Sequence, residues 1–223
     1  MLKGLQEKLS YQPKLVLMDL DGTLVDSAAD IHLNLNRALD DLGLAPVTEA
    51  QVRVWVGQGA SRLIYCVLEH GRLDPQLHDR LLAQFMKRYE AQVCEASTVY
   101  PGVREFIAAC QAQGITLACV TNKPYAPAKG LLEALDLLDD FALLVGGDTL
   151  PHRKPHPEPL LHCLRHFEIK AADTLMVGDS SNDVGAARAA HMPVVALSYG
   201  YNHGVPIADS QPDWLVDSLA ALL

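Results

Sequence analysis

Short apolar segments that alternate with helix-like stretches constrain this chain more than any other feature of its sequence. Five segments have the length and apolar, β-rich character of buried parallel strands. They are residues 14–19 (KLVLMD), 115–120 (ITLACV), 142–145 (ALLV), 173–177 (DTLMV) and 193–197 (PVVAL). From the second segment onward, stretches with apolar residues at helical spacing separate them. The alternation predicts an α/β fold with a doubly wound, Rossmann-like parallel sheet.

The interval between the first two predicted strands is too long for a single crossover. It contains residues 20–114, whereas a crossover needs only about a dozen residues or slightly more. Helical patterns fill it, at residues 28–42, 48–56, 59–70 and 75–94. We therefore expect a core domain made of residues 1–24 and 100–223, and an inserted helical cap domain made of residues 25–99. Hinges are expected near 24–27 and 99–102.

Composition and charge exclude several classes of partner. The 223 residues carry a formal charge of −9, so no global positive field favours nucleic acid. No apolar run approaches the roughly 20 residues that span a bilayer, and the N-terminus lacks a signal-peptide pattern. We expect a cytoplasmic protein that binds neither nucleic acid nor membrane. The five cysteines are odd in number and form no C-x-x-C pair, which predicts reduced thiols: Cys66, Cys94, Cys110, Cys119 and Cys163.

Acidic side chains directly follow two of the predicted strands. Asp19 and Asp21 end the first strand in "DLDGT", and Asp179 and Asp183 follow the fourth in "GDSSND". Ligands of open α/β sheets bind beyond the carboxyl ends of the strands, so we expect these carboxylates to converge there. Four carboxylates in one pocket repel one another unless a cation compensates. All-oxygen ligation predicts Mg²⁺ rather than zinc, which prefers His or Cys.

Each of these residues also has a plainer explanation when taken alone. A single aspartate at a strand end is more often a helix N-cap or turn former than a catalyst. Thr121 and Asn122 follow the second strand and could cap the next helix. Lys123 is as readily explained as a solvated surface lysine as it is as a ligand. Lys154, in "HRKPHPEP", can point toward the carboxylates at the carboxyl ends of the strands. These polar residues occur together, after the ends of separate strands, and this joint occurrence favours a functional site.

The motifs "DLDGT" (19–23), "VTN" (120–122), Lys154 and "GDSSND" (178–183) occur in this order along the chain. At these residues the sequence resembles the haloacid dehalogenase superfamily of phosphotransferases. The resemblance implies a Rossmann-like core with a helical cap inserted after the first motif, and an Mg²⁺-dependent reaction on a small-molecule phosphate ester.

The resemblance also implies a role for each matching residue. Asp19 would be the nucleophile and a metal ligand. Asp21 would be the general acid and base, with its backbone carbonyl on the metal. Asp179 would be a further metal ligand, and Asp183 would act on the metal directly or through water. The positions that would hold the phosphate are Thr121, Asn122 and Lys154.

The predicted cap should select the substrate. In its stretch "VWVGQGASRLIY" (54–65), Gly59 opens a helix whose amides could hold an anion such as a carboxylate, and Arg62 is nearby. A simple glycine-containing link between two helices explains the same stretch. Within the superfamily, "VGQGASRLI", "TNKP", "KPHPEPLL" and "YGYNHG" look most similar to bacterial phosphoglycolate phosphatases, which implies hydrolysis of 2-phosphoglycolate to glycolate and phosphate.

Other functions remain open at this level. Related capped phosphatases act on sugar phosphates or on N-acetylmuramate 6-phosphate, and a phosphomutase such as one for β-glucose 1-phosphate shares the fold. A non-catalytic module could merely accept a phosphoryl group on Asp19. Dehalogenases of the superfamily generally lack an aspartate at the position of Asp21, and a phosphonate hydrolase would need a cap lysine where this chain offers only Lys87. We expect a monomer or a homodimer.

Overall fold

Parallel strands form the centre of the structure, a computed structural model that describes residues 2–9 and 11–223. In chain order the strands are β1 (Leu15–Met18), β2 (Val25–Asp26), β3 (Thr98–Val99), β4 (Thr116–Val120), β5 (Leu143–Val145), β6 (Thr174–Gly178), β7 (Val194–Leu197) and β8 (Trp214–Val216). Six of them pair in parallel in the order β5-β4-β1-β6-β7-β8. The chain winds outward from β1 in both directions, which confirms the predicted doubly wound α/β fold.

Helices cover the sheet and fill the long interval. They are α1 (Lys3–Lys8), α2 (Ala28–Asp41), α3 (Glu49–Trp55), α4 (Ala60–Gly71), α5 (His78–Ala91), α6 (Val103–Gln111), α7 (Tyr125–Ala134), α8 (Glu158–Phe167) and α9 (Ser181–Ala189). Within the described residues, no helix is both long and apolar enough to cross a bilayer.

Both faces of the sheet are buried, which explains why the strands read as continuous apolar runs. Val16 and Met18 pack with α6, α7 and the short 3₁₀ helix Leu219–Leu222. Leu15 and Leu17 point to the opposite face and pack with α8 and α9. The alternation follows from the two-residue period of a strand. All five cysteines are free thiols, as predicted.

Helices α2 to α5, which we call the inserted helices, have an apolar core of their own. Ile64, Leu81 and Phe85 are buried there, apart from the two clusters on the sheet. Helix α3 begins where the sequence predicts, because Thr48 and Gln51 form a capping box. The segments that lead into and out of the inserted helices, β2 and β3, pair antiparallel. Both connections therefore run side by side.

Candidate active site

The carboxyl ends of β1, β4 and β6 meet at one edge of the sheet. Met18 is in register with Cys119 on one side and Val177 on the other. The residue that follows β1, Asp19, therefore lies next to the ends of both neighbouring strands. Asp179 follows β6 directly, one residue after its last member. The predicted convergence of polar residues at this edge is present.

Three carboxylates form a compact acidic cluster at this edge. Asp19, Asp179 and Asp183 each offer an oxygen, and the three oxygens lie within 4.8 Å of one another. All three side chains are buried, Asp183 completely. Such a group can hold a metal ion, and carboxylate oxygens are the donors preferred by hard divalent cations.

Asp183 and Lys154 are joined in a buried network. One Asp183 oxygen accepts from the backbone amides of Asp179 and Ser180, at 3.2 and 3.0 Å, and from the Ser180 hydroxyl at 2.8 Å. Its other oxygen accepts from Lys154 Nζ at 2.7 Å. The ammonium of Lys154 also contacts Asp19 Oδ1 at 2.9 Å. Asp183 thus fixes both the loop after β6 and the lysine that faces Asp19.

Asp179 is held by residues that sequence reasoning did not single out. Thr23 Oγ1 donates to its Oδ1 at 2.5 Å, and the Tyr201 amide donates to its Oδ2 at 2.6 Å. A Cβ at Gly200 would lie 2.2 Å from Asp179 Oδ2, and one at Gly22 would lie 2.3 Å from it. Glycine is therefore required at both positions. The "YGYNHG" stretch contained the signal, but only the folded chain shows which carboxylate it serves.

Burial raises the pKa values of two carboxyl groups in the acidic cluster. Loss of hydration raises the pKa of Asp19 to about 7, although Lys154 opposes the shift. Burial also raises the pKa of Asp179 well above its usual value, and the nearby charges of Asp19 and Asp183 add to the rise. A bound divalent cation would relieve this cost, because it compensates the same charges. The donor set and its crowding both fit a hard divalent metal.

Asp21 faces the cavity and is paired with a cation. It accepts from Ser27 Oγ at 2.5 Å and from Lys123 Nζ at 2.9 and 3.2 Å. The Lys123 side chain is only 5% exposed, and its ammonium lies 4.6 Å from the ring centre of Tyr89. The alternative of a solvated surface lysine is wrong for Lys123.

Thr121 and Asn122 lie between the cluster and the inserted helices. The Thr121 hydroxyl accepts from the Lys123 amide at 3.1 Å, which leaves its own proton available. Asn122 Nδ2 donates to the carbonyls of Gly57 and Lys154, both at 2.9 Å. Its Oδ1 is buried without a hydrogen-bond partner in the described part of the chain. The amide group of Asn122 thus joins the loop before α4 to the Lys154 segment.

A cavity opens above Asp19 and Asp21, between the sheet edge and the inserted helices. It is lined on one side by Thr121, Asn122 and Lys123. The inserted helices supply a mostly apolar wall, formed by Ile31, Val56, Leu63, Phe85, Met86 and Tyr89. The cavity is partly open to solvent, and Asp19 and Asp21 form its base.

The structure brings Gly59 to this cavity but not Arg62. Gly59 lines the cavity, and its φ of +88° favours glycine. Arg62 is exposed on α4, although Leu63 lines the cavity. Successive residues of a helix are about 100° apart around its axis, so the neighbour of a wall residue faces elsewhere. Arg62 is therefore not among the residues that line this cavity.

Comparison with known proteins places the site in a family. Residues 16–197 match the haloacid dehalogenase-like hydrolases. The phosphoglycolate phosphatase of Nitrosococcus oceani is 46% identical, with coverage of 93% of this chain and 94% of that protein. That of Pseudomonas savastanoi pv. phaseolicola is 43% identical, with coverage of 95% and 79%. The crystal structure of a predicted phosphoglycolate phosphatase from Haemophilus somnus 129pt has a TM-score of 0.88 at 39% identity, with coverage of 94% and 96%. The chain belongs to the haloacid dehalogenase-like hydrolase family.

Proposed function

We propose that this protein is an Mg²⁺-dependent phosphatase that hydrolyses 2-phosphoglycolate to glycolate and phosphate. The observation that carries the proposal is the meeting of Asp19, Asp179 and Lys154 at the carboxyl ends of the central strands, with Asp19 at the base of a cavity. Two relatives that are 46% and 43% identical over most of the chain are phosphoglycolate phosphatases by name, and this supports the substrate.

The first chemical step is assigned to Asp19. Its Oδ1 is held by the Leu20 amide at 2.7 Å and by Lys154, so we assign the attack on phosphorus to Oδ2. The phosphorus–oxygen ester bond breaks as the aspartyl-phosphate forms, and Asp21 gives a proton to the departing glycolate oxygen. Lys154 offsets negative charge beside the attacking carboxylate.

The second step regenerates the enzyme. Water attacks the phosphorus of the aspartyl-phosphate, Asp21 takes a proton from that water, and the Asp19 carboxylate leaves. The hydroxyl of Thr121 can donate to a phosphoryl oxygen. Asn122 would contact the phosphoryl group through its backbone N–H, because its side-chain amide already donates to two carbonyls.

We propose that the metal is Mg²⁺. Asp19, Asp179 and the backbone carbonyl of Asp21 would hold it, and Asp183 would act on it directly or through water. Mg²⁺ prefers one or two carboxylates together with phosphate oxygens and water, which fits this oxygen-only donor set. When bound, it would neutralise charge on the transferring phosphoryl group.

We also propose that residues 25–99 act as a cap domain over the core formed by residues 1–24 and 100–223. The separate apolar core of the inserted helices and the paired β2 and β3 connections support this division. A cap that closes over the cavity would exclude water other than the hydrolytic one. Reduced thiols are typical of the cytoplasm, where we expect the protein to act as a monomer or a homodimer.

The alternative functions are less well supported. The mostly apolar wall from the inserted helices offers few hydrogen-bond partners to the hydroxyl groups of a hexose phosphate or of N-acetylmuramate 6-phosphate, which also argues against the phosphomutase. A non-catalytic phosphoryl acceptor would not need a lysine-fixed nucleophile at the base of a cavity covered by inserted helices.

A panel of phosphate esters tests the substrate. We expect kcat/KM for 2-phosphoglycolate to exceed that for glucose 6-phosphate, β-glucose 1-phosphate and N-acetylmuramate 6-phosphate, with activity lost on chelation and restored by Mg²⁺. A tenfold preference for a sugar phosphate would refute the proposed substrate.

A further inference from the structure

Lys123 is the one cation on the cavity wall among the residues that the structure describes. The substrate proposed above carries a carboxylate as well as its phosphate. Lys154 lies deeper, against Asp19 and Asp183, where the phosphoryl group would bind. The wall formed by the inserted helices is mostly apolar and offers little to an anion. A buried carboxylate requires a cation or several hydrogen-bond donors.

Tyr89 supplies a second donor beside Lys123. The residue is 2% exposed, and nothing within the described residues accepts the proton of its hydroxyl, because the neighbouring Lys123 ammonium can only donate. A buried O–H donor without an acceptor costs free energy, which a ligand acceptor can recover. Burial raises the pKa of Tyr89 to about 12, so the hydroxyl keeps its proton near neutral pH. The Lys123 ammonium has three N–H donors, and its contact with the two Asp21 oxygens leaves at least one of them.

The position of this pair matches the geometry of the substrate. Asp21 is the proposed donor to the bridging ester oxygen, and Lys123 Nζ contacts Asp21 at 2.9 Å. In 2-phosphoglycolate a single methylene group separates that ester oxygen from the carboxylate carbon. A phosphate placed at Asp19 therefore directs the carboxylate toward the space beside Asp21, where Lys123 and Tyr89 meet.

We propose that Lys123 and Tyr89 bind the carboxylate of the substrate and thereby select phosphorylated 2-hydroxy acids over neutral phosphate esters. The inference rests on the function proposed above. Tyr89 lies on α5 and Lys123 follows β4, so the carboxylate bridges the inserted helices and the sheet. The substrate carboxylate also competes with Asp21 for the same ammonium, which loosens the hold on Asp21 as the substrate binds.

The test is a ratio of two substrates, because Lys123 also contacts Asp21 and its loss affects the chemistry of any ester. For each variant, kcat/KM is measured for 2-phosphoglycolate and for its neutral carboxamide, phosphoglycolamide. We expect Lys123→Met to lower the ratio by about 10- to 100-fold, the value of a charge-assisted hydrogen bond in a buried site. Tyr89→Phe, which keeps the ring beneath the ammonium, should lower it by about 3- to 10-fold.

Matched controls separate selection from general damage. Lys87→Met removes the same charge from the exposed surface of α5 and should leave the ratio unchanged. If Lys123→Met fails to fold, as judged by circular dichroism, Tyr89→Phe decides the question alone. Binding of 2-phosphoglycolate and of inorganic phosphate to Asp19→Asn protein, with and without Tyr89→Phe, gives a second measurement. There Tyr89→Phe should weaken only 2-phosphoglycolate binding.

Failure of the inference and failure of the proposed function give different results. If wild-type protein prefers 2-phosphoglycolate and the variants keep the same ratio, the inference is overturned and the function stands. Equal losses of kcat/KM on both substrates would also overturn the inference, because Lys123 and Tyr89 would then act in the reaction and not in recognition of the carboxylate. If wild-type protein prefers phosphoglycolamide or a sugar phosphate, the proposed function itself is overturned.

Discussion

The two sides of the cavity are built on opposite principles. On the sheet side, carboxylates and Lys154 are buried in a network in which Asp183 alone accepts four hydrogen bonds. On the side of the inserted helices, the wall is mostly apolar, and in the described part of the chain no group accepts the proton of the Tyr89 hydroxyl. In the proposed function the sheet side carries the reaction, whereas the helical side recognises the substrate. Changes on the two sides should therefore have different consequences.

The largest effect is expected from Asp19→Asn. The amide is a poor nucleophile, so kcat should fall by about 10⁴-fold or more. The fold should persist, because the change removes a carboxylate from a crowded acidic cluster. Phosphate release and circular dichroism measure the two effects. Asp139→Asn, at an exposed position, is the matched control. Turnover that persists in Asp19→Asn would exclude the assigned nucleophile.

Gly200→Ala should damage the metal side of the cluster without touching a charge. The added Cβ would lie 2.2 Å from Asp179 Oδ2 and displace that carboxylate. We expect the Mg²⁺ concentration for half-maximal activity to rise by about 10- to 100-fold, the range seen when the support of a metal ligand is lost.

Gly130→Ala is the control for this change, because its Cβ would meet only the Val93 side chain, at 3.3 Å. Equal metal dependence in wild-type and Gly200→Ala protein would contradict the role given to Asp179.

The protonation of the acidic cluster predicts how metal-free protein responds to pH. The folded pKa of Asp19, about 7, lies above its usual value of 3.8. The contribution of Asp19 to stability should therefore be fully present below about pH 4 and be lost as pH rises to about 7, because the buried carboxyl group must then ionise. A divalent cation relieves the cost. Calorimetry with chelator or Mg²⁺ should show a larger metal-induced rise in Tm at pH 8 than at pH 5.5. An equal rise at both values would contradict the assignment.

The smallest effect is expected from Arg62→Ala. The side chain is exposed and lies outside the cavity wall, so kcat/KM for 2-phosphoglycolate should change by less than about twofold. Lys123→Met also removes one positive charge, but from the cavity wall, and it should have a much larger effect. A large loss in Arg62→Ala would mean that the substrate is recognised on a different face of α4.

The sequence predicts the sheet side of the cavity better than the helical side. Asp19 and Asp179 follow strands directly, and Asp183 lies in the first turn of the helix after β6, so strand prediction and one rule about parallel sheets place them together. Lys123 differs, because its burial depends on Tyr89 and Asp21, which are distant in sequence. A helical pattern places Arg62 on α4 but does not show which face of α4 meets the cavity.

Parts of the fold also depend on tertiary contacts that local pattern does not contain. Strand β8 has only three residues, with mixed burial, so its sequence carries no clear strand pattern. Helix α1 is held by the packing of Leu2 and Leu5 against the main cluster. The need for glycine at position 200 follows from the approach of Asp179 and not from a turn.

Chemical trapping of the phosphorylated enzyme tests the central claim most directly. The protein is mixed with excess 2-phosphoglycolate and Mg²⁺, quenched in acid and reduced with borohydride, which converts an aspartyl-phosphate into homoserine. Peptide mass spectrometry should find homoserine at position 19, only when substrate and Mg²⁺ are both present. Homoserine at another aspartate, or unmodified Asp19 under conditions of rapid turnover, would contradict the account.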